Sequence, residues 1–322
     1  MNNILINACG IKSLGGIHVL KSSIENISQY SNVSVLVSEQ QLKDKIPLDN
    51  IDNIVVKKRP RYTHPFLPLF IDKKLRDWIN SFDITIHFGN FGFKTKTKDI
   101  VFVQNILPYS ETRRTVKNLI LRFFINRSIA FSSTTAVQNE HVINYLPKKF
   151  HSKIKNIGLV SKSKTKASNG RGIISISNDI DYKNVNFIEK VMNTLSDILD
   201  KNYIFTLVTD KKKVNKNSRI TFKSDLSSQE VQKELEKHNI YLHASFVETL
   251  CLPIFEAQKK RLSIVAPNLD YAVNASPQKK YLYKYKNSDD AIKMVEEAIK
   301  DIEALNDLEV NLYTEDWNDI LK

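Results

Sequence analysis

Apolar residues along this chain fall into two alternating kinds of stretch: short unbroken runs such as Ile4-Leu5-Ile6, and longer segments in which they return every three or four positions. The first pattern predicts buried strands and the second amphipathic helices. Strands are predicted at residues 4–9, 33–37, 54–56, 84–88 and 100–103, with helices at 17–30 and 136–146, the latter closed by Pro147. A polar stretch at 161–172, SKSKTKASNGRG, has no large apolar residue and reads as a linker. Beyond it the alternation restarts, with strands at 173–177, 203–208, 240–243 and 263–266 and helices at 184–199, 229–237 and 289–303. Strands that alternate with helices imply parallel sheets. The chain therefore divides into an α/β half at 1–160, the linker, a second α/β half at 173–305 and a tail at 306–322, with a ligand cleft expected between the halves.

Composition agrees with two domains, since 322 residues exceed the usual span of one hydrophobic core. No run of eighteen apolar residues predicts a spanning helix. The start, MNNILINACG, lacks the basic n-region of a signal peptide. Cys9 and Cys251 stand far apart and suggest neither a disulfide framework nor a cysteine metal site, so a reducing cytoplasm is the expected setting. Charge is more informative. Residues 1–160 hold 23 Lys and Arg against 11 Asp and Glu, so nearly all of the net +13 lies in the first half. The excess concentrates in Lys57-Lys58-Arg59-Pro60-Arg61 and in the stretch 111–127, ETRRTVKNLILRFFINR. That stretch has the form of a basic amphipathic helix, which fits either an anionic membrane surface or a domain helix with a solvated basic face. Nucleic acid is disfavoured, because no nucleic-acid module is visible.

Candidate chemistry concentrates in SFVETLCLPIFEAQKKRLSIVAP, from Ser245 to Pro267. Glu248 is placed in the loop at the carboxyl end of a strand, and Glu256 in the first turn of a helix that Pro253 begins. Open α/β sheets bind ligands at that edge, and two carboxylates beside one crevice suit a ligand rich in hydroxyls, such as a sugar nucleotide. The local alternative is a surface acid and a favourable Glu near a helix start. As a whole the segment resembles the signature of glycosyltransferase family 4, in which an acid, an aromatic-Gly-Leu-Pro step and a second acid followed by Ala contact the donor sugar and ribose. The matching residues are Glu248, Leu252, Pro253, Glu256 and Ala257, while Cys251 replaces the usual Gly and Lys260-Arg261-Leu262 a small-Gly pair.

The resemblance implies a GT-B fold, two Rossmann-like α/β domains whose parallel sheets face across a cleft, and transfer of a sugar from a nucleotide-sugar donor with retention of configuration. It assigns Glu256 to the ribose, Glu248 to the transferred sugar, Lys183 to the diphosphate and Gly15-Gly16 to the reacting centre. Asn178 stands where the family has the Arg of an Arg/Lys phosphate clamp, and Gln104 where it commonly has a His near the donor sugar. His87, at a strand end, is a candidate to take over a cleft role. Asp179-x-Asp181 is read as loop chemistry rather than a cation site, so no metal and no cofactor are expected. The glycines do not make G-x-G-x-x-G, so nothing points to a nicotinamide or flavin. Residues 312–320 resemble the family's final helix, whose Trp packs where the chain crosses back to the first domain. The acceptor implied is a lipid-linked or oligosaccharide chain of a bacterial surface polysaccharide, O-antigen or capsule, with the enzyme peripheral on the inner membrane face. One rival is a catalytically silent GT-B protein that binds a partner transferase or a membrane. A nucleotide-sugar epimerase is another, and it needs more acids and histidines in the first half than the sequence offers.

Overall fold

The structure is a computed structural model that describes residues 1–11, 13–38, 51–56, 72–110, 115–210, 217–277, 281–304 and 307–322. It divides into two compact units, Met1–Leu159 with Thr314–Lys322, and Val160–Tyr313. The basic run 57–61, Arg113 and Arg114 lie outside the described residues. No helix among the described residues is long and apolar enough to cross a membrane.

In unit 1 the chain runs β1 (Asn2–Asn7), α1 (Leu14–Ile27), β2 (Ser31–Val37), β3 (Asn53–Val56), α2 (Lys73–Ile79), β4 (Ile84–His87), β5 (Lys98–Val103), α3 (Val116–Phe131), β6 (Thr134–Val137), α4 (Glu140–Tyr145) and β7 (Ile154–Asn156). The strands form one parallel sheet in the order β3-β2-β1-β4-β5-β6-β7. Strand β6 corrects the predicted helix at 136–146: Ala136 and Val137 pair with Phe102 and Val103, and the helix starts only after Asn139, whose side chain caps it. An apolar run flanked by Thr134 and Thr135 suits a strand as well as a helix start, so pattern alone could not separate them.

Unit 2 begins in β8 (Gly158–Lys166) and continues through β9 (Gly172–Ile176), α5 (Val185–Ile198), β10 (Ile204–Val208), β11 (Ile220–Lys223), α6 (Ser228–Leu235), β12 (Ile240–Leu242), α7 (Leu252–Lys259), β13 (Ser263–Pro267), α8 (Asp270–Ala275), β14 (Leu282–Tyr283) and α9 (Ser288–Ala304). Its parallel sheet has the order β11-β10-β9-β12-β13-β14. Alternate strand residues feed opposite faces, as a period of two requires. Ile173, Ile240, Leu242 and Val265 pack with α5 and α9 on one face, and Ile174, Tyr241, Ile264 and Ala266 with α7 and α8 on the other. Gly172 permits the close approach of β10: a Cβ there would lie 2.6 Å from the Ile204 carbonyl oxygen.

Two expectations fail at the ends of this unit. The polar stretch read as a linker is extended through Lys166 as part of β8, which pairs with β15 (Asp307–Glu315) in a separate two-stranded sheet. The tail resembling a final helix is thus a strand as far as Glu315, and only α10 (Asn318–Leu321) is helical. Lys and Thr tolerate a solvated ribbon strand, so low hydrophobicity did not mark these residues as unstructured. Within unit 1, Trp317 is fully buried, stacked on Phe88 at 5.9 Å between ring centroids and edge-on to Phe102 at 5.1 Å. Its indole N–H donates to Glu315, a buried carboxylate that also accepts from Ser23 and Gln138.

His238 joins two elements of unit 2, with its ring nitrogens against the Glu234 carbonyl at 2.7 Å and the Thr206 hydroxyl at 2.9 Å. Burial, only partly offset by the Glu234 carbonyl, pushes its pKa down to about 4. The unfolded chain takes up a proton near the ordinary value of ~6.5, which the folded chain resists, so stability falls as pH drops from 6.5 toward 4. The loss expected is on the order of 3 kcal/mol. Denaturant melts from pH 7 to 4.5 should show this decline, and His238→Gln should remove that share of it; an unchanged profile in that variant would contradict the assignment.

Candidate functional site

In both sheets the order reverses beside the first strand, between β1 and β4 in unit 1 and between β9 and β12 in unit 2. Loops leaving two such strands go to opposite faces, and the crevice at their carboxyl ends is where open α/β sheets hold ligands. In unit 2 these loops are residues 177–184 and 243–251. They are stitched together: the Phe246 N–H donates to the Tyr182 carbonyl at 3.0 Å, and the two rings meet edge to face.

Lys183 and Glu248 face each other from these two loops in a direct ion pair, with side chains 18% and 13% exposed. Burial acts to lower the Lys183 pKa, but attraction to Glu248, helped by Cys251 and a hydrogen bond, outweighs it and leaves the ammonium more basic than usual. The cation at a helix start, which the helix dipole disfavours, is thus held by a carboxylate. Behind the pair lies His243, the residue after β12, 2% exposed and with Nε2 3.7 Å from Glu248 Oε1 and 3.3 Å from Cys251 Sγ. Desolvation, with Lys183 adding to it and Glu248 opposing it, drives its pKa down to about 4, so the ring is neutral near pH 7. Burial likewise pushes the Cys251 thiol well up, leaving it protonated. Tyr283 and Tyr271 donate to the His243 and Ser245 carbonyls and fix the loop from below. His243, Tyr271 and Tyr283 were not singled out in the sequence, although His243 ends the strand that leads into the two acids.

Helix α7 opens with Cys251 as its N-terminal flanking residue at φ 62° and ψ 61°, and Asn184 plays the same part for α5 at φ 56°. This is the left-handed region, where Asn is tolerated and a side chain otherwise costs about 1–2 kcal/mol. The Gly of the resembled signature is therefore explained by backbone conformation. The Cys251 side chain turns inward onto His243 and is buried, rather than standing where a ligand would approach. Leu252 and Pro253 take the first helical positions, and Glu256 is the fifth, just past the first turn. At helical spacing Leu252, Pro253 and Glu256 share the partly exposed face, while Ile254, Phe255 and Ala257 pack in the core.

Asn178 is exposed in the first loop, where its carbonyl accepts from Ile180. Asp179 takes part in loop construction, its N–H donating to Asp210 at 2.7 Å. The ligand atoms of His243, Glu248 and Cys251 all lie within 4.8 Å of one another, close enough to share a metal ion. Lys183 already meets the same Glu248 oxygen, so a dication there would have to displace an ammonium.

Unit 1 holds the remaining expected residues. Gly15 and Gly16 are the second and third residues of α1, not a loop, and neither has positive φ. A Cβ on Gly15 would meet nothing within 4 Å, whereas one on Gly16 would press on Ser13 Oγ at 3.0 Å, the hydroxyl that caps the helix. His87 has no cleft role available to it. Its ring is 0% exposed, bonded on one side to Asn7 at 3.0 Å and on the other to Asp99 at 3.2 Å, and roofed by Gly92, where a Cβ would fall 2.7 Å from the ring. Gln104 accepts from the Gly89 N–H through Oε1, and its Nε2 is buried with no acceptor among the described residues. Asn90, not noticed in the sequence, is the organiser: at φ 76° its Oδ1 accepts from the N–H groups of Gln104 and Asn105 and locks the loops after β4 and β5 together.

No protein-family model matches the chain, and no curated protein matches it in sequence. Solved structures do match. HepE from Anabaena in complex with UDP and glucose has a TM-score of 0.69 at 12% identity, covering 94% of this chain and 91% of that one. The sucrose-phosphate synthase of Thermosynechococcus elongatus has a TM-score of 0.70 at 9% identity, with the same coverages of 94% and 91%. The apo form of the lipopolysaccharide outer core galactosyltransferase WaaB has 0.61 at 11% identity, over 94% and 91%. The fold is GT-B, built of two Rossmann-like α/β units.

The left-handed Cys251 makes a ranking expected. Cys251→Gly relieves backbone strain and loses one small buried group, two terms of about 1 kcal/mol each, so its stability should stay close to the parent's. Cys251→Val places a β-branched side chain at the same φ and should cost about 2 kcal/mol or more. Urea midpoints of the two variants decide it, and a Val variant as stable as Gly would refute the account.

Proposed function

We propose that the protein is a glycosyltransferase of the family 4 type that takes a sugar from a nucleotide donor held on unit 2. The observation that carries the proposal is the Lys183–Glu248 pair at the β9/β12 switch point, beside the helix face that presents Glu256. HepE, a protein with the same fold, was solved with UDP and glucose. In this reading Lys183 gives its ammonium to a diphosphate oxygen, Glu248 takes hydroxyl hydrogens of the transferred sugar, and Glu256 accepts from the ribose. Neutral His243, paired with Cys251 and Tyr241 behind Glu248, supplies no proton near pH 7.

The bond from the anomeric carbon to the diphosphate oxygen breaks, a bond to the acceptor oxygen forms on the same face, and the acceptor proton passes to the departing diphosphate. Such a step asks for no protein base, which agrees with a Gln at position 104 and a sealed His87. No metal is part of the proposal, because Lys183 is the counter-charge already in contact with Glu248. The acceptor proposed is a lipid-linked or oligosaccharide chain of a bacterial surface polysaccharide, reached from the cytoplasmic side. A second reading, a donor-binding GT-B protein without turnover, is favoured by the same two unit 1 residues.

Thermal shift against a panel of nucleotide sugars tests the binding step. A donor at a hundred times its Kd should stabilise the protein by about 2.7 kcal/mol. Glu256→Ala and Lys183→Ala should each abolish most of that shift, and a panel without any stabilising member would refute the function. Glu248→Gln separates the two readings. It should lower transfer or donor hydrolysis by ten- to a hundredfold while nucleotide binding survives, whereas a protein that binds donor but never turns it over is the silent form.

A further inference from the structure

Helix α3 is apolar on two opposite sides. Ile125, Ser128 and Ile129 face the sheet, as expected for a Rossmann helix. On the outward side Val116, Leu119, Ile120 and Phe123 are exposed by 74%, 54%, 53% and 63%. At 100° per residue these four fall within an arc of about 100°, centred opposite the buried face. Large apolar side chains that are this exposed and this close together mark an interaction surface rather than scatter. Phe123 is steadied by an edge-to-face contact with Phe124 at 5.5 Å.

The charges around the stripe select its occupant. Residues 116–131 include Lys117, Arg122 and Arg127 and no acid. Lys117 and Arg127 are exposed, with Arg127 one turn beyond Phe123 on the same side and Lys117 at the stripe's edge. Arg122 is turned over the Tyr109 ring at 5.0 Å. A second copy of the chain fits poorly, because a self-complementary contact would bring these bases together with no acid on the helix to answer them. Four side chains also fall short of the ~800 Å² per partner of a standard interface. An anionic bilayer surface meets both conditions, taking a short apolar ridge into the headgroup boundary and offering negative charge to the flanking bases.

We propose that the outward face of α3 is a membrane-docking surface for anionic lipid, with Val116, Leu119, Ile120 and Phe123 entering the interface and Lys117 and Arg127 holding headgroups. It does not depend on the glycosyltransferase reading, since docking requires neither donor nor acceptor.

Co-sedimentation of the full chain with vesicles of equal parts phosphatidylglycerol and phosphatidylcholine tests it. Wild type should bind these vesicles and bind pure phosphatidylcholine at least tenfold less. The triple variant Leu119→Ser, Ile120→Ser, Phe123→Ser should lose at least tenfold in binding, and the pair Lys117→Gln, Arg127→Gln should lose binding together with most of its salt dependence. All substituted positions are exposed, so an unchanged melting temperature should show that the fold is intact. The proposal is overturned if wild type ignores anionic vesicles or if the triple variant binds as well as wild type. It is also overturned if light scattering finds a lipid-free dimer that the triple variant converts to monomer.

Discussion

Strand order constrains everything else in unit 2. The chain enters the sheet at β9, builds outward through β10 to β11, and returns to pair β12 on the other side of β9. Parallel pairing obliges each connection to cross a face of the sheet. The loops leaving β9 and β12 consequently go to opposite faces and border the crevice at the carboxyl end of the sheet. Lys183 and Glu248 owe their meeting, 65 residues apart in sequence, to that divergence.

The environment around the pair is built to stay uncharged. Burial keeps His243 deprotonated and the Cys251 thiol protonated, and it lifts the Tyr241 and Tyr271 hydroxyls well above their usual range. These neighbours thus contribute hydrogen bonds and dipoles without net charge beside the Lys183–Glu248 ion pair. Two left-handed residues, Asn184 and Cys251, turn both loops abruptly into α5 and α7 and aim the helix N-termini at the same edge.

Legibility in the sequence followed local physics. Apolar runs paired with periodic segments revealed both parallel sheets, because fully buried strands carry little besides Val, Ile and Leu. The ribbon of β8 and β15 escaped, since most of β8 is solvated and strand pairing leaves no mark in composition. Glu248 and Glu256 could be placed near one edge from a strand-to-helix turn alone, and Lys183 through the family resemblance. The contact that brings Lys183 to Glu248 is tertiary and could not be read. His87 illustrates the converse: a His at a strand end looks available, and only the approach of Gly92 and the bonds to Asn7 and Asp99 reveal a sealed ring. Gly15-Gly16 had a sequence neighbour that told the local story, Ser13, whose hydroxyl makes them the first turn of a helix.

For the donor proposed, binding is then an exchange of partners rather than an addition. A diphosphate oxygen that draws Lys183 away from Glu248 would weaken an ion pair in a mostly buried site, which is costly. A sugar whose hydroxyls donate to Glu248 repairs that loss, whereas a nucleotide diphosphate without the sugar does not. Stronger retention of the intact nucleotide sugar than of its nucleotide product follows from the pair itself. Under the function proposed, the carboxylate freed after transfer would reclaim Lys183 and help expel the diphosphate, so that one ion pair would serve both capture of the donor and release of the product.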